Sequence, residues 1–255
     1  MSKLHLFEPG GYAFLEGGFP YSQGVIALPG FAIVRARLAG RLPVGQGFDA
    51  IATHLASQGR PLTALCAAEL RSPAPFTLDG FRQFNGGYVE VLRQWGIVRN
   101  PANPLGLNPV ARSNVCPVFD PPAQSEFFAF CYTVPLAGAA GPADFVVAGS
   151  GEWPEGTPFP EGIVARGDCS PAGLARKATH VLDTMRKRCA GLGGDWSRLS
   201  AAQVYCAHDI HPLLQSHFAT SRLTSIGLTW QVCQPPIQEL EFEMDVRSVA
   251  TERTI

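Results

Sequence analysis

The segment Asn108-Pro109-Val110-Ala111-Arg112-Ser113-Asn114-Val115 sets a single arginine in a run of small, apolar and uncharged residues. Read as a strand, it places Arg112, Asn114 and Cys116 on one face and Ala111, Ser113 and Val115 on the other. A guanidinium is a planar fork that stays charged at any working pH and grips a carboxylate through two parallel donors. Arg112 is therefore a candidate anchor for an acidic small molecule. A structural arginine paired with an acid elsewhere in the fold is the competing reading, and the local sequence leaves both open.

Acids that could move protons occur in two strand-like runs. Glu126 opens the stretch Ser125–Val134, and Glu239, Glu241, Glu243 and Asp245 alternate with Leu240, Phe242, Met244 and Val246. The second run has a period of two, so its acids could equally be the solvated face of an amphipathic strand. The cysteines offer less. There are seven, at 66, 116, 131, 169, 189, 206 and 233, with no CxxC pair, and the histidines form no HxxxH or HExxH pattern. Metal ligation and a disulfide framework are not indicated, and the cysteines read as buried small hydrophobes in a reducing compartment. Cys116 has no neighbouring histidine to activate it. Cys206, His208 and Asp209 look like a triad on paper but lie too close in sequence to relay protons. Gly191-Leu192-Gly193-Gly194 lacks the lysine of a phosphate loop.

The elements that must position these groups come in two similar series. Strands are expected near Val25–Leu28 and Phe31–Leu38, a helix at Phe48–Gln58, and a strand at Leu62–Leu70. A helix at Leu78–Trp95 follows, with an apolar stripe at 81, 84, 88, 91, 92 and 95, then strands at Ala111–Val118 and Ser125–Val134. Pro135–Asp144 reads as a linker. Beyond it come a strand at Phe145–Gly149, a helix at Pro171–Ala190 and a strand at Ala201–Ala207. A short helix at Pro212–Ser221 and strands at Gly227–Cys233 and Leu240–Val249 complete the series. Two β-β-α-β-α-β-β units suggest an internal duplication, with units at 1–137 and 138–255, each an α+β layer.

With 255 residues, 46% hydrophobic and 16% charged, and a net charge of −1, the chain has no basic run for a nucleic-acid surface. Its longest apolar stretches fall well short of the ~20 residues of a membrane helix, and the N-terminus has no signal-like apolar core. A cytoplasmic, well-buried, oligomeric protein is expected.

The motifs resemble those of the reactive-intermediate deaminase (RidA-like) superfamily. Phe19-Pro20-Tyr21-Ser22-Gln23-Gly24 is similar to its G-P-Y-S-Q segment, Phe81, Asn85 and Tyr88 to its F..N..Y helix, and Pro109–Val115 to its P-x-A-R-S strand. In the second half, the helix running to Gly193-Gly194-Asp195, the strand Ala202–Tyr205 and Leu240–Glu243 resemble the corresponding pieces. Size and duplicated layout resemble, within the superfamily, the 2-aminomuconate and 2-amino-5-chloromuconate deaminases.

That resemblance implies two tandem RidA-like (chorismate-mutase-like) domains, each a mixed sheet with two helices on one face. It also implies a homotrimer and a hydrolytic deaminase of a 2-amino-dienoic dicarboxylate that needs no cofactor. The catalytic residues would be Arg112 as anchor with Glu243 or Glu126 as acid, and Tyr21, Asn114 and Cys116 would line the substrate. Arg35, Arg37, Arg71 and Arg82 are candidates for a second carboxylate. The first half departs from the pattern with Phe128 where an acid is usual. The second has the acid, Glu243, but no arginine in Gly227–Gln231. A chorismate-processing lyase or mutase, or a carboxylate-binding module without turnover, are the alternatives.

Overall fold

A computed structural model of the chain describes residues 2–98, 106–136 and 141–255. In the first half the strands are β1 (Leu4–Phe7), β2 (Tyr12–Leu15), β3 (Gly24–Ala27), β4 (Phe31–Pro43), β5 (Leu65–Arg71), β6 (Ala111–Pro117) and β7 (Glu126–Pro135). Its helices are α1 (Val44–Ser57) and α2 (Leu78–Gln94). The second half contains β8 (Phe145–Gly151), α3 (Pro171–Gly191), β9 (Ala201–Cys206), β10 (Leu228–Gln231), β11 (Cys233–Gln234), β12 (Phe242–Ser248) and β13 (Thr251–Thr254). The chain is an α+β protein built on two mixed sheets, ordered β1-β2-β3-β8-β12-β9-β10 and β11-β6-β5-β7-β4-β13. None of the described helices is long and apolar enough to cross a membrane.

Most expected elements occur within a few residues of their expected bounds, and the differences have physical causes. β4 runs on to Pro43 through a register shift between Arg37 and Leu42, so α1 starts at Val44, four residues early. The short second-half helix is a single turn, Leu214–Ala219, leaving α3 as the one long helix there. β1, β2 and β13 were not anticipated. Tyr12–Leu15 is buried throughout and so shows no alternation, while Thr251–Thr254 is exposed throughout. Of the linker Pro135–Asp144, residues 137–140 lie outside the described residues. Its last member accepts the Ile33 N–H on Asp144 Oδ2 at 3.0 Å.

The sheets exchange strands. β3 pairs antiparallel with β8, carrying the first 27 residues into the second-half sheet, and β13 returns to pair in parallel with β4. α1 and α2 pack into one apolar core with β4, β5 and β7, where the Phe48 ring meets Tyr88 at a tilt and Trp95 and Phe127 edge-on, at 5.0–5.5 Å. α3 covers the other sheet through Leu174, Ala178, Val181, Leu182 and Met185. α2 and α3 have side-chain caps: Thr77 accepts from the Gly80 N–H and Ser170 from the Gly173 N–H.

Between the sheets lies a polar layer. Ser113 donates to Asp245 at 2.6 Å, Tyr205 donates to the same carboxylate at 2.8 Å, and Arg35 forks onto Glu69 at 2.5 and 2.8 Å. Burial alone would raise the Glu69 carboxyl, but the hydrogen bonds and charge of Arg35 hold it down at about 2. The alternating acids are thus not a solvent face: Glu243 and Asp245 are buried between the sheets, and only Glu239 stays exposed before β12 begins.

Candidate active site

Two of the sequence motifs meet at the seam between the sheets. The Ser22 N–H donates to the Val110 carbonyl at 3.0 Å and Ser22 Oγ to the Pro109 carbonyl at 3.0 Å, while Asn108 Nδ2 holds the Pro20 carbonyl at 2.8 Å. The Pro20-Tyr21-Ser22-Gln23 segment is thereby fastened alongside the start of β6. Tyr21 and Arg112 consequently face the same space, a cavity of about 920 Å³.

Arg112 is 2% exposed. Its guanidinium carbon lies 4.7 Å from the Tyr88 ring centroid and 4.9 Å from that of Tyr21, with Phe81 and Phe84 at 5.6 and 5.8 Å. These faces attract a cation but supply no hydrogen-bond acceptor in its plane. Nη2 donates to Asn85 Oδ1 at 2.5 Å, whereas Nε and Nη1 are buried with no partner among the described residues. A buried donor left unmade costs about 1–3 kcal/mol, more when charged, so two of them on one guanidinium amount to a prepared anion site.

Glu243 lines the same cavity. Its carboxyl is pushed well above the usual carboxylate range, first by burial and then by the neighbouring charges of Asp245 and Glu152; Arg112 and Arg188 oppose the shift without cancelling it. Such surroundings favour the protonated form of the carboxyl, which can donate. The room for it comes from Gly149 on β8, where a Cβ would collide with Glu243 Oε1.

Of the residues singled out from sequence, Tyr21, Arg112, Asn114 and Glu243 line this cavity together. Asn114 accepts from Ser72 Oγ at 3.0 Å, and its buried Nδ2 has no partner among the described residues. Burial raises the Tyr21 phenol, which stays protonated and able to donate.

Glu126 and Cys116 are not among the lining residues. Glu126 opens β7 opposite Arg71 and stands 3.5 Å from Arg41, because the strand's length carries its first residue away from the seam. Cys116 has the right parity but pairs with Gln234 of β11, which covers the end of β6, and burial pushes its thiol up to about 12. Phe128, where an acid was expected, lies 4.1 Å under the Arg71 guanidinium. Of the arginines proposed for a second carboxylate, Arg82 lines the cavity; Arg35 is taken by Glu69, and Arg71 donates to Gln231.

Three contributors escaped the sequence reading of the site. Asn85 appeared only as part of a helix pattern. Arg188, on α3, lines the cavity and donates to Glu155 at 2.9 Å and to the carbonyls of Ala148 and Gly149 at 3.3 Å. The loop after β8 brings Trp153 and Glu155 to the rim, with Trp153 in an apolar cluster that includes Phe81, Ile163, Ile237 and Leu240. The Phe81-x-x-x-Asn85-x-x-Tyr88 spacing of α2 was the available signal for Asn85; Arg188 continues the buried stripe of α3, seven residues after Val181, but a lone charge in the last turn of a helix reads as solvated.

The family model described as "2-aminomuconate deaminase CnbZ" matches residues 4–253. The chain belongs to this family. A "2-amino-5-chloromuconate deaminase" of Comamonas testosteroni is 41% identical over 256 residues, spanning 100% of both chains. Like that relative, the chain is a muconate-deaminase-type protein, and the family name makes it an enzyme acting on a C–N bond. Among solved structures it is similar to a chorismatase, at 13% identity and a TM-score of 0.43, covering 94% of this chain and 78% of that one. A cyanuric acid hydrolase is similar at 10% identity and a TM-score of 0.45, covering 88% and 69%.

Proposed function

We propose that the chain hydrolyses the C–N bond of a 2-aminomuconate-type acid, a 2-amino-dienoic dicarboxylate with or without chlorine, releasing ammonia and an oxo acid. The observation that carries this reading is the pairing, in one cavity, of two Arg112 donors that have no partner among the described residues with the buried carboxyl of Glu243, whose pKa is pushed up by its surroundings.

Arg112 receives the carboxylate next to the amino-bearing carbon and fixes that end of the molecule. Glu243 protonates the carbon chain of the enamine, giving the iminium. A water molecule adds to the iminium carbon as the Glu243 carboxylate takes its proton. The carboxyl then protonates the nitrogen of the carbinolamine and the C–N bond breaks, the nitrogen leaving as ammonia. The remaining hydroxyl returns its proton to Glu243, leaving the C=O group. One carboxyl ends the cycle as it began, and the route as written draws on no cofactor. Tyr21 and Asn114 donate hydrogen bonds to the substrate's polar atoms.

Amino-dienoic acids arise where an aminated aromatic ring is opened, and we place the reaction in such a degradation. The family resemblance of the motifs supports tandem RidA-like units, assembled as cytoplasmic homotrimers, as part of the same reading. The test is to add the protein to 2-aminomuconate generated in situ, following its absorbance and assaying ammonia. Stoichiometric ammonia without added cofactor supports the reading; loss at the spontaneous rate overturns it.

A further inference from the structure

Away from the cavity, three side chains that no motif links converge where three elements end. Cys169 directly precedes the capping residue of α3, His208 follows β9, and Glu241 precedes β12. The Cys169 thiol, the His208 imidazole and the Glu241 carboxylate present ligand atoms that all lie within 4.8 Å of one another, and all three residues are half-buried. We propose that this cluster is a binding site for one divalent cation of the zinc class, its three ligands standing outside the lining of the Arg112–Glu243 cavity.

The geometry needs little adjustment. Around a tetrahedral zinc with bonds of about 2.0–2.3 Å, neighbouring ligand atoms stand roughly 3.3–3.8 Å apart. His208 Nε2 and Glu241 Oε2 are at 2.6 Å and would open by about 1 Å; the widest separation in the cluster would close by about as much. A thiolate, an imidazole and a carboxylate suit zinc or cobalt; magnesium and calcium prefer oxygen alone. Thiolate and carboxylate together neutralise a doubly charged ion, and the solvent side leaves its fourth position to water.

The ligands sit on prepared supports. The buried Glu152 carboxylate accepts the backbone N–H of Glu241 at 2.7 Å and of Phe242 at 3.1 Å, and it is itself held by Lys177 Nζ at 3.0 Å, both side chains being 0% exposed. On the other side, Asp168 accepts the Ser170 N–H at 3.1 Å and the Arg176 guanidinium at 2.8 Å, fixing the loop that carries Cys169. Such outer partners orient metal ligands before the ion arrives. A cysteine nucleophile is the weaker reading, because the imidazole nitrogen that would activate the thiol is engaged by Glu241. The spacing of the sequence hides the cluster, since its members lie 39 and 33 residues apart.

The test uses the full chain, tag-free, reduced and stripped with a chelator, titrated with Zn²⁺ in a calorimeter and with Co²⁺ in a spectrophotometer. Expected are one Zn²⁺ per chain and a thiolate-to-cobalt charge-transfer band in the near ultraviolet. Cys169→Ser should abolish the band, and His208→Ala and Glu241→Gln should each weaken Zn²⁺ by roughly tenfold or more, with circular dichroism confirming the fold. His211→Ala, altering the nearby exposed histidine, should leave affinity unchanged. Absence of the band, or Zn²⁺ affinity that survives Cys169→Ser and His208→Ala, overturns the proposal. Should one variant fail to fold, the other two decide.

Discussion

Asn85 accepts a hydrogen bond of 2.5 Å from Nη2 of Arg112, across 27 residues of chain, while the other two guanidinium nitrogens meet no acceptor among the described residues. One neutral partner orients the charge without neutralising it. Had an acid stood at position 85, the anion site would already be filled.

Arg112→Ala should lower kcat/KM by about 10²–10⁴-fold, the worth of two charged hydrogen bonds at about 1.5–3 kcal/mol each. Arg112→Lys should recover little, because a point charge cannot reproduce the fork. Arg112→Met should melt no lower than the parent, since it removes a buried, half-satisfied charge. Steady-state kinetics and thermal melts read all three; near-normal turnover in Arg112→Ala would remove the anchor assignment.

Glu243→Gln should reduce kcat by about 10²–10⁴-fold, while Glu126→Gln should leave it within a few-fold. The parent's activity should fall on the alkaline side as Glu243 loses its proton. Its effect on stability has a definite sign. The folded pKa is raised, so the contribution of Glu243 is fully present below the ordinary carboxylate pKa and is lost as pH rises toward the folded value. Glu243→Gln should therefore gain in melting temperature over the parent, increasingly so from mildly acidic to neutral pH. Equal, mild kinetic effects of the two glutamine variants would exclude both acids.

Gly149→Ala should misplace Glu243 while leaving the fold intact, because the added methyl collides with a movable carboxyl oxygen and meets the Ser113 backbone only at 3.2 Å, a distance that a small local shift relieves. A loss on the order of 10²-fold in kcat is expected for a shift of about 1 Å, with the circular dichroism spectrum unchanged. Parent-like kinetics in this variant would show that the carboxyl's position is not critical.

Arg82→Gln and Arg188→Gln should separate the two candidate grips on a second carboxylate. Whichever makes that contact should raise KM by roughly tenfold or more for a dicarboxylate, with little change for a monocarboxylate analogue. Equal effects on both substrates would assign that arginine to the cavity wall, as the Arg188 bonds to Glu155 and two carbonyls already allow.

Arg112 was legible because a charge amid small and apolar residues on a strand has few reasons to exist, and strand parity correctly carried Asn114 along with it. Parity failed for Cys116 because whether a strand's end is open or capped depends on what pairs with it, and β11 comes from more than a hundred residues downstream. Glu243 could be read as a solvated residue until the partner sheet was seen to lie over β12. Gly149 and Arg188 act through close approach between β8, α3 and β12, distances that no local pattern encodes. The same holds for β1 and β13, whose own residues are too few and too uniform to announce a strand.

The exchange of strands also bears on how the chain is made. β4 is among the earliest elements to leave the ribosome, yet its neighbour β13 lies at the C-terminus; the Arg35–Glu252 pair spans 217 residues. Until β13 has been made, that edge of β4 has no native partner, and loop-closure entropy must be met across roughly 200 residues. A gene split near the middle of these residues would yield two fragments that must find each other before either sheet is complete.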